Sequence, residues 1–118
     1  DTNIFSQNYL ETELTPGIWF VIDALSENKN IKLIVISKAF PRNARKSREL
    51  LKKYELDSKF NSIIFCEEIS EKAVIAQAMK VDVMIDDRQD VLNYFPEGIK
   101  TILFNPDEID DLYRNILE

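Results

Sequence analysis

Ser37, Lys72 and the adjacent carboxylates Asp86 and Asp87 each stand just beyond a different apolar run of strand character. A parallel sheet gathers the carboxyl ends of its strands along one edge, and open α/β sheets bind ligands at that edge. A hydroxyl, a cation and two carboxylates gathered there suit a bound metal and a phosphoryl group. Neighbouring carboxylates after a buried strand repel one another unless a cation or hydrogen bonds offset the charge. Magnesium takes one or two carboxylates together with waters and phosphate oxygens, and needs neither histidine nor cysteine. Each residue also has a plainer reading: Asp86 and Asp87 cap a helix beginning near Arg88, Ser37 closes a turn, and Lys72 is a solvated charge. Their shared place at strand ends, in this order, favours the combined reading.

The elements that must position these residues follow from the apolar spacing. Thr15-Pro16 predicts a helix start, and Ile18, Val21, Ile22 and Leu25 continue it to about Glu27. Ile31 to Ile36 reads as a strand covered on both faces, with Ser37 directly after it. A helix follows Pro41 to about Glu55, with Ala44, Leu50, Leu51 and Tyr54 inward and Arg42, Arg45, Lys46, Arg48, Lys52 and Lys53 outward. Ser62 to Cys66 is a second buried strand. Ser70 is the expected cap of a helix whose apolar face is Val74, Ile75, Ala78 and Met79, which puts Lys72 in its first turn. The helix dipole disfavours a cation there, so a partner is needed to explain it. Val81 to Ile85 forms the next strand, Val91, Leu92 and Phe95 a short helix, Lys100 to Phe104 a last strand, and Pro106-Asp107 opens a terminal helix. Strands alternating with helices, without hairpin signals, imply crossovers and a mostly parallel sheet.

Composition removes several alternatives. The 118 residues contain no histidine and only two glycines, Gly17 and Gly98. Catalytic triads built on histidine and His-liganded zinc are thereby excluded, and no Gly-rich phosphate loop follows a strand. The single cysteine, Cys66, allows no internal disulfide, closes an apolar run and reads as core, with a reducing, cytoplasmic setting as the expectation. The apolar runs Ile18 to Ile22 and Leu33 to Ile36 are too short to span a bilayer, so no membrane association is expected. A net charge of −6 opposes nonspecific nucleic-acid binding by the whole surface but leaves room for a local basic patch. Trp19 and Phe20 read as core or helix packing.

The segments IKLIVIS ending at Ser37, EKAVIAQ holding Lys72 and VDVMIDD ending at Asp86-Asp87 resemble the haloacid dehalogenase superfamily of phosphohydrolases. VMIDDRQD is also similar, more weakly, to the 5'(3')-deoxyribonucleotidase branch. The resemblance implies a Rossmannoid three-layer α/β/α fold with a mostly parallel sheet. It further implies that Ser37 hydrogen-bonds the transferring phosphoryl group, that Lys72 neutralises phosphate and nucleophile, and that Asp86 and Asp87 hold Mg2+, with Asp90 assisting through water. DTNIFS is similar to the tail of the family's first motif, Asp-x-Asp-Gly-Thr-Leu-Phe. In that register Asp1 is the general acid and base, its carbonyl contacts the metal, and Ile4-Phe5 takes the place of the apolar pair. The nucleophile and the first strand then lie upstream of Asp1. In the competing register Asp1 is the nucleophile and Asn3 stands in the acid's place, which impairs protonation of the leaving group.

The implied activity is a magnesium-dependent phosphomonoester hydrolase working through an aspartyl-phosphate. The stretches Gln7 to Leu14 and Lys38 to Ser70 leave no room for a cap domain, so the resemblance implies a macromolecular or nucleotide substrate, or a site completed by a further domain or subunit. Two other readings stay open. One is a catalytically inactive member of the same fold serving as a binding or regulatory module. The other is a receiver-like signalling domain, whose acidic pair comes early and lysine last, the reverse of this chain.

Overall fold

The computed structural model describes residues 18–118, a mixed α/β arrangement of short parallel strand pairs and helices. Asp1, the Ile4-Phe5 pair, the Thr15-Pro16 cap and the side chain of Trp19 lie outside the described residues. In chain order the elements are α1 (Ile18–Glu27), β1 (Ile34–Lys38), α2 (Pro41–Lys53), β2 (Ser62–Cys66), α3 (Ile69–Ala78), β3 (Val83–Asp86), α4 (Gln89–Leu92), β4 (Lys100–Leu103) and α5 (Ile109–Leu117). Short 3-10 turns at Asp57–Lys59 and Pro106–Glu108 precede β2 and α5.

Three strands differ in their bounds from expectation, β4 only by ending at Leu103 rather than Phe104. Ile31 to Leu33 are not strand, and β1 runs on through Ser37 to Lys38, because its register with β2 is set at that end: Ser37 pairs with Phe65 and Lys38 with Cys66. Likewise β3 begins at Val83 and includes Asp86, opposite Leu103. Ser37 and Asp86 are thus the penultimate and last residues of their strands, rather than the first residues beyond them.

Among the described residues the strands form two separate parallel pairs, β1 with β2 and β3 with β4. A strand's peptide groups point alternately to its two sides. Ala39 donates to Cys66 O, and Phe104 donates to Asp86 O. This phase turns the peptide groups of Val35 and Ser37 toward β2, and those of Met84 and Asp86 toward β4. The peptide groups of Ile34, Ile36, Val83 and Ile85 therefore face away from both pairings. Leu33, Ile34, Ile85, Asp86 and Phe104 line one groove of about 390 Å3, so the edges of β1 and β3 that have no strand partner among the described residues flank a common channel.

Two apolar clusters cover the strands. Ala76 of α3, Met84, Leu92 and Ile99 are buried together, with Ile36 of β1, Val81 and Phe95 against them. Val21 and Leu25 of α1 are buried with Leu112 of α5, and Leu33, Ile85 and Ile102 pack there. Ile36 and Met84 thus join one cluster, while Leu33 and Ile85 join the other, as alternation along strands requires. Phe20 corrects the expectation of a core residue: it is 76% exposed on the outer side of α1. Cys66 is buried as expected.

Helices α2 and α3 end in the same way. Glu55 and Lys80 have φ of 57°, and the bonds Leu56 N to Leu51 O and Glu55 N to Lys52 O recur as Val81 N to Ala76 O and Lys80 N to Gln77 O. This is the Schellman closure, with a left-handed residue followed by an apolar one that packs inward. Leu56, 1% exposed, is that residue after α2.

Candidate active site at the carboxyl edge

Lys72 is positioned by the start of α3. The helix opens on Glu68 rather than on the expected Ser70, and Glu68 and Glu71 form a reciprocal capping box in which Glu68 N donates to Glu71 Oε1 at 2.8 Å. Two carboxylates can satisfy the first turn as well as a hydroxyl does, and they also complement the dipole. The resulting phase buries Lys72, Ala73 and Ala76 and leaves Val74 65% and Met79 41% exposed. The expected apolar face is therefore rotated. A helix with apolar residues on several sides has no single preferred face, and the partner of Lys72 decides which side turns in.

That partner is Asp86. Lys72 Nζ donates to Asp86 Oδ2 at 2.9 Å, with the two side chains 11% and 8% exposed. Asp86 Oδ1 accepts from Arg88 N at 3.0 Å. A buried ion in such surroundings is tolerable only when paired and hydrogen-bonded, and each oxygen of this carboxylate has its donor. The pair answers why a cation stands in the first turn of α3, and it joins that turn to the end of β3. The charge of Lys72 also reaches the Cys66 thiol at the end of β2. Burial outweighs that attraction and pushes the Cys66 thiol above its ordinary value of 9.0. Cys66 Sγ lies 3.4 Å from Glu68 O, which accepts from it.

Asp87 differs from its neighbour. It is exposed beside the groove, and its side chain makes no hydrogen bond or ion pair among the described residues. The tandem aspartates thus differ, one fixed in a buried pair and one exposed without a bonded partner among the described residues. Asp90 is clamped by Arg88, whose Nε and Nη2 reach Oδ1 at 3.0 Å and Oδ2 respectively. The guanidinium holds the Asp90 carboxyl below the usual carboxylate range. The Asp-x-Arg-x-Asp spacing of residues 86 to 90 was the available signal for this clamp, which counting acidic residues overlooks.

Ser37 sits half-buried near the end of β1 and forms no hydrogen bond to Lys72 or Asp86 among the described residues. The structure brings Lys72 and Asp86 into contact, sets Asp87 next to them, and leaves Ser37 at the carboxyl end of a different strand pair. Among the described residues, no group of three or more potential ligands is gathered for a metal. The donors that fit one are Asp87 and the carboxylate of Asp86, within the one or two carboxylates magnesium uses. A larger cavity of about 530 Å3, lined by Ser26, Glu27, Asn28, Lys59 and Asn61, contains none of these residues. Its Lys59 is committed to Asp23 at 2.7 Å, tying the turn before β2 to α1. No helix among the described residues is long and apolar enough to cross a membrane. No protein-family model, curated protein or solved structure matches the chain.

Proposed function

We propose that this chain carries most of a magnesium-dependent phosphomonoesterase site of the haloacid dehalogenase type, in an uncapped three-layer α/β/α fold. The observation that carries the reading is the buried Lys72–Asp86 pair beside the exposed carboxylate of Asp87, at the carboxyl ends of strands. Asp87 and Asp86, with the carbonyl of Asp1, would hold magnesium. When bound, the ion neutralises charge on the phosphoryl oxygens. Lys72 presents its ammonium to the same oxygens while Asp86 keeps it aimed. Ser37 donates to a phosphoryl oxygen, and Asp1 protonates the departing alkoxide. The attacking carboxylate comes from an extended segment ahead of Asp1, for which the groove between β1 and β3 offers two edges without a strand partner among the described residues.

A second reading, a catalytically inactive binding or regulatory module, is favoured by one detail: both oxygens of Asp86 already have donors within the protein. Hydrolysis of p-nitrophenyl phosphate by the full-length protein separates the two. The phosphatase releases phosphate with magnesium and stops on chelation. Lys72→Ala lowers turnover by about two orders of magnitude or more, as for loss of a preorganised charge in a dry site. Release that is unaffected by Lys72→Ala and by Asp87→Asn removes the site assignment, and no release under any metal favours the inactive module.

A further inference from the structure

Helix α2 carries six cations and one carboxylate, a net of +5 on a chain of −6 overall, so the remainder of the chain carries −11. Ordinary solvated helices mix signs to gain pairs three and four residues apart. Here Glu49 is the only acid, and it lies in the second half. The first turn holds Arg42 and no acidic residue, although the helix dipole opposes a cation at that end. Arg42, Arg45 and Lys52 are exposed and form no ion pair among the described residues. Arg48 is committed otherwise, donating to Ile63 O at 3.0 Å and lying 5.0 Å over the Phe65 ring.

Placement adds to the charge. Just before α2 stand Lys38 and Phe40, both exposed, the latter by 54%. Lys38 ends β1 directly after Ser37 and Phe40 follows in the loop before α2, so the basic row starts at the edge where the candidate site lies. Arg42 to Lys52 then spans ~15 Å along the helix axis. An aromatic platform followed by a row of cations is the arrangement that tracks a single-stranded nucleic acid, with bases on the ring and phosphates along the charges. A lipid surface fits less well, because the apolar side of α2, with Leu50, is turned into the protein and leaves no face to insert.

We infer that the outer face of α2, with Lys38 and Phe40, binds the phosphodiester backbone of single-stranded nucleic acid. The phosphatase reading is deepened by naming its substrate class, and the proposal rests on that reading only for the strand's terminal phosphate lying toward Ser37. Binding itself needs no turnover.

Fluorescence anisotropy with labelled oligothymidylate, titrated into the full chain over a salt series, tests this. We expect affinity that falls with salt at a log–log slope of about −2. The double variant Arg42→Gln/Arg45→Gln should flatten the slope by about 1.4, and Phe40→Ala should weaken binding by about fivefold or more. Unchanged circular dichroism of these surface variants separates lost contacts from lost folding. Salt-independent binding, binding indifferent to both variants, or tighter binding of polyglutamate than of oligothymidylate overturns the proposal. Binding without phosphate release would count against the phosphatase reading alone, and phosphate release without binding against the α2 proposal alone.

Discussion

At the scale of single residues, two neighbouring carboxylates have different surroundings. Asp86 is buried against Lys72 and Arg88 N, whereas Asp87 is exposed and unbonded. Removing one member of a buried pair leaves the other charge uncompensated, so Lys72→Met should destabilise folding by about 3–5 kcal/mol. The double variant Lys72→Met/Asp86→Leu should recover most of that loss, and urea unfolding of the singles and the double measures the coupling. Asp87→Asn should leave stability nearly unchanged, since no contact is lost. Cys66 gives a pH-dependent prediction. Burial raises its thiol above 9.0 in the folded protein, so the folded state favours the neutral form. The corresponding stability is fully present below the unfolded value and is lost as pH rises through the folded one. Stability should therefore decline above pH 9.0, and decline less in Cys66→Ala, as followed by thermal melts across alkaline buffers.

At the scale of elements, closure of the helices explains what the sequence made legible and what it hid. The span of α2 follows from Pro41 and the apolar spacing, and β2 appears at its expected residues because Ile63, Ile64 and Phe65 leave little choice. The start of α3 was not legible from Ser70, since Glu68 and Glu71 cap it instead. Its buried side was hidden for a related reason: Val74, Ile75, Ala78 and Met79 are as apolar as the residues that turn in, and only the tertiary contact between Lys72 and Asp86 decides between the sides. That Lys72 and the tandem aspartates come near one another was legible from residue type and order. The split of roles between Asp86 and Asp87 was not, because spacing does not tell which carboxylate meets the ammonium. The left-handed Glu55 and Lys80 suggest a simple stability gain. Glycine at either position removes a backbone penalty of about 1–2 kcal/mol. The greater freedom of glycine in the unfolded chain offsets about 0.4–1 kcal/mol of this. Glu55→Gly and Lys80→Gly should each raise the melting temperature slightly, and a fall in either would contradict the Schellman closure as the feature that ends these helices.

At the scale of the whole molecule, the strands expected to form one sheet make two parallel pairs among the described residues, with the free edges of β1 and β3 bordering one apolar groove. Parallel strands are stable when paired and covered, and two-stranded sheets are marginal alone. The shared clusters of α1 with α5 and of α3 with α4 hold the pairs as parts of one body. If an extended segment fills the groove, the amides of Ile34, Ile36, Val83 and Ile85 become protected while those of Val35 and Met84 change little. Hydrogen exchange compared between the 118-residue chain and the chain extended by the proposed strand measures this. Equal exchange in both would remove the strand from the proposed site.

The common rim itself is tested most directly by NMR with manganese as a paramagnetic stand-in for magnesium. The proposed site predicts that substoichiometric manganese broadens the resonances of Ser37, Lys72, Asp86 and Asp87 together, ahead of other acidic positions, and that magnesium reverses the effect. Broadening that spares Ser37 and Lys72, or that spreads evenly over the acidic surface, would contradict it.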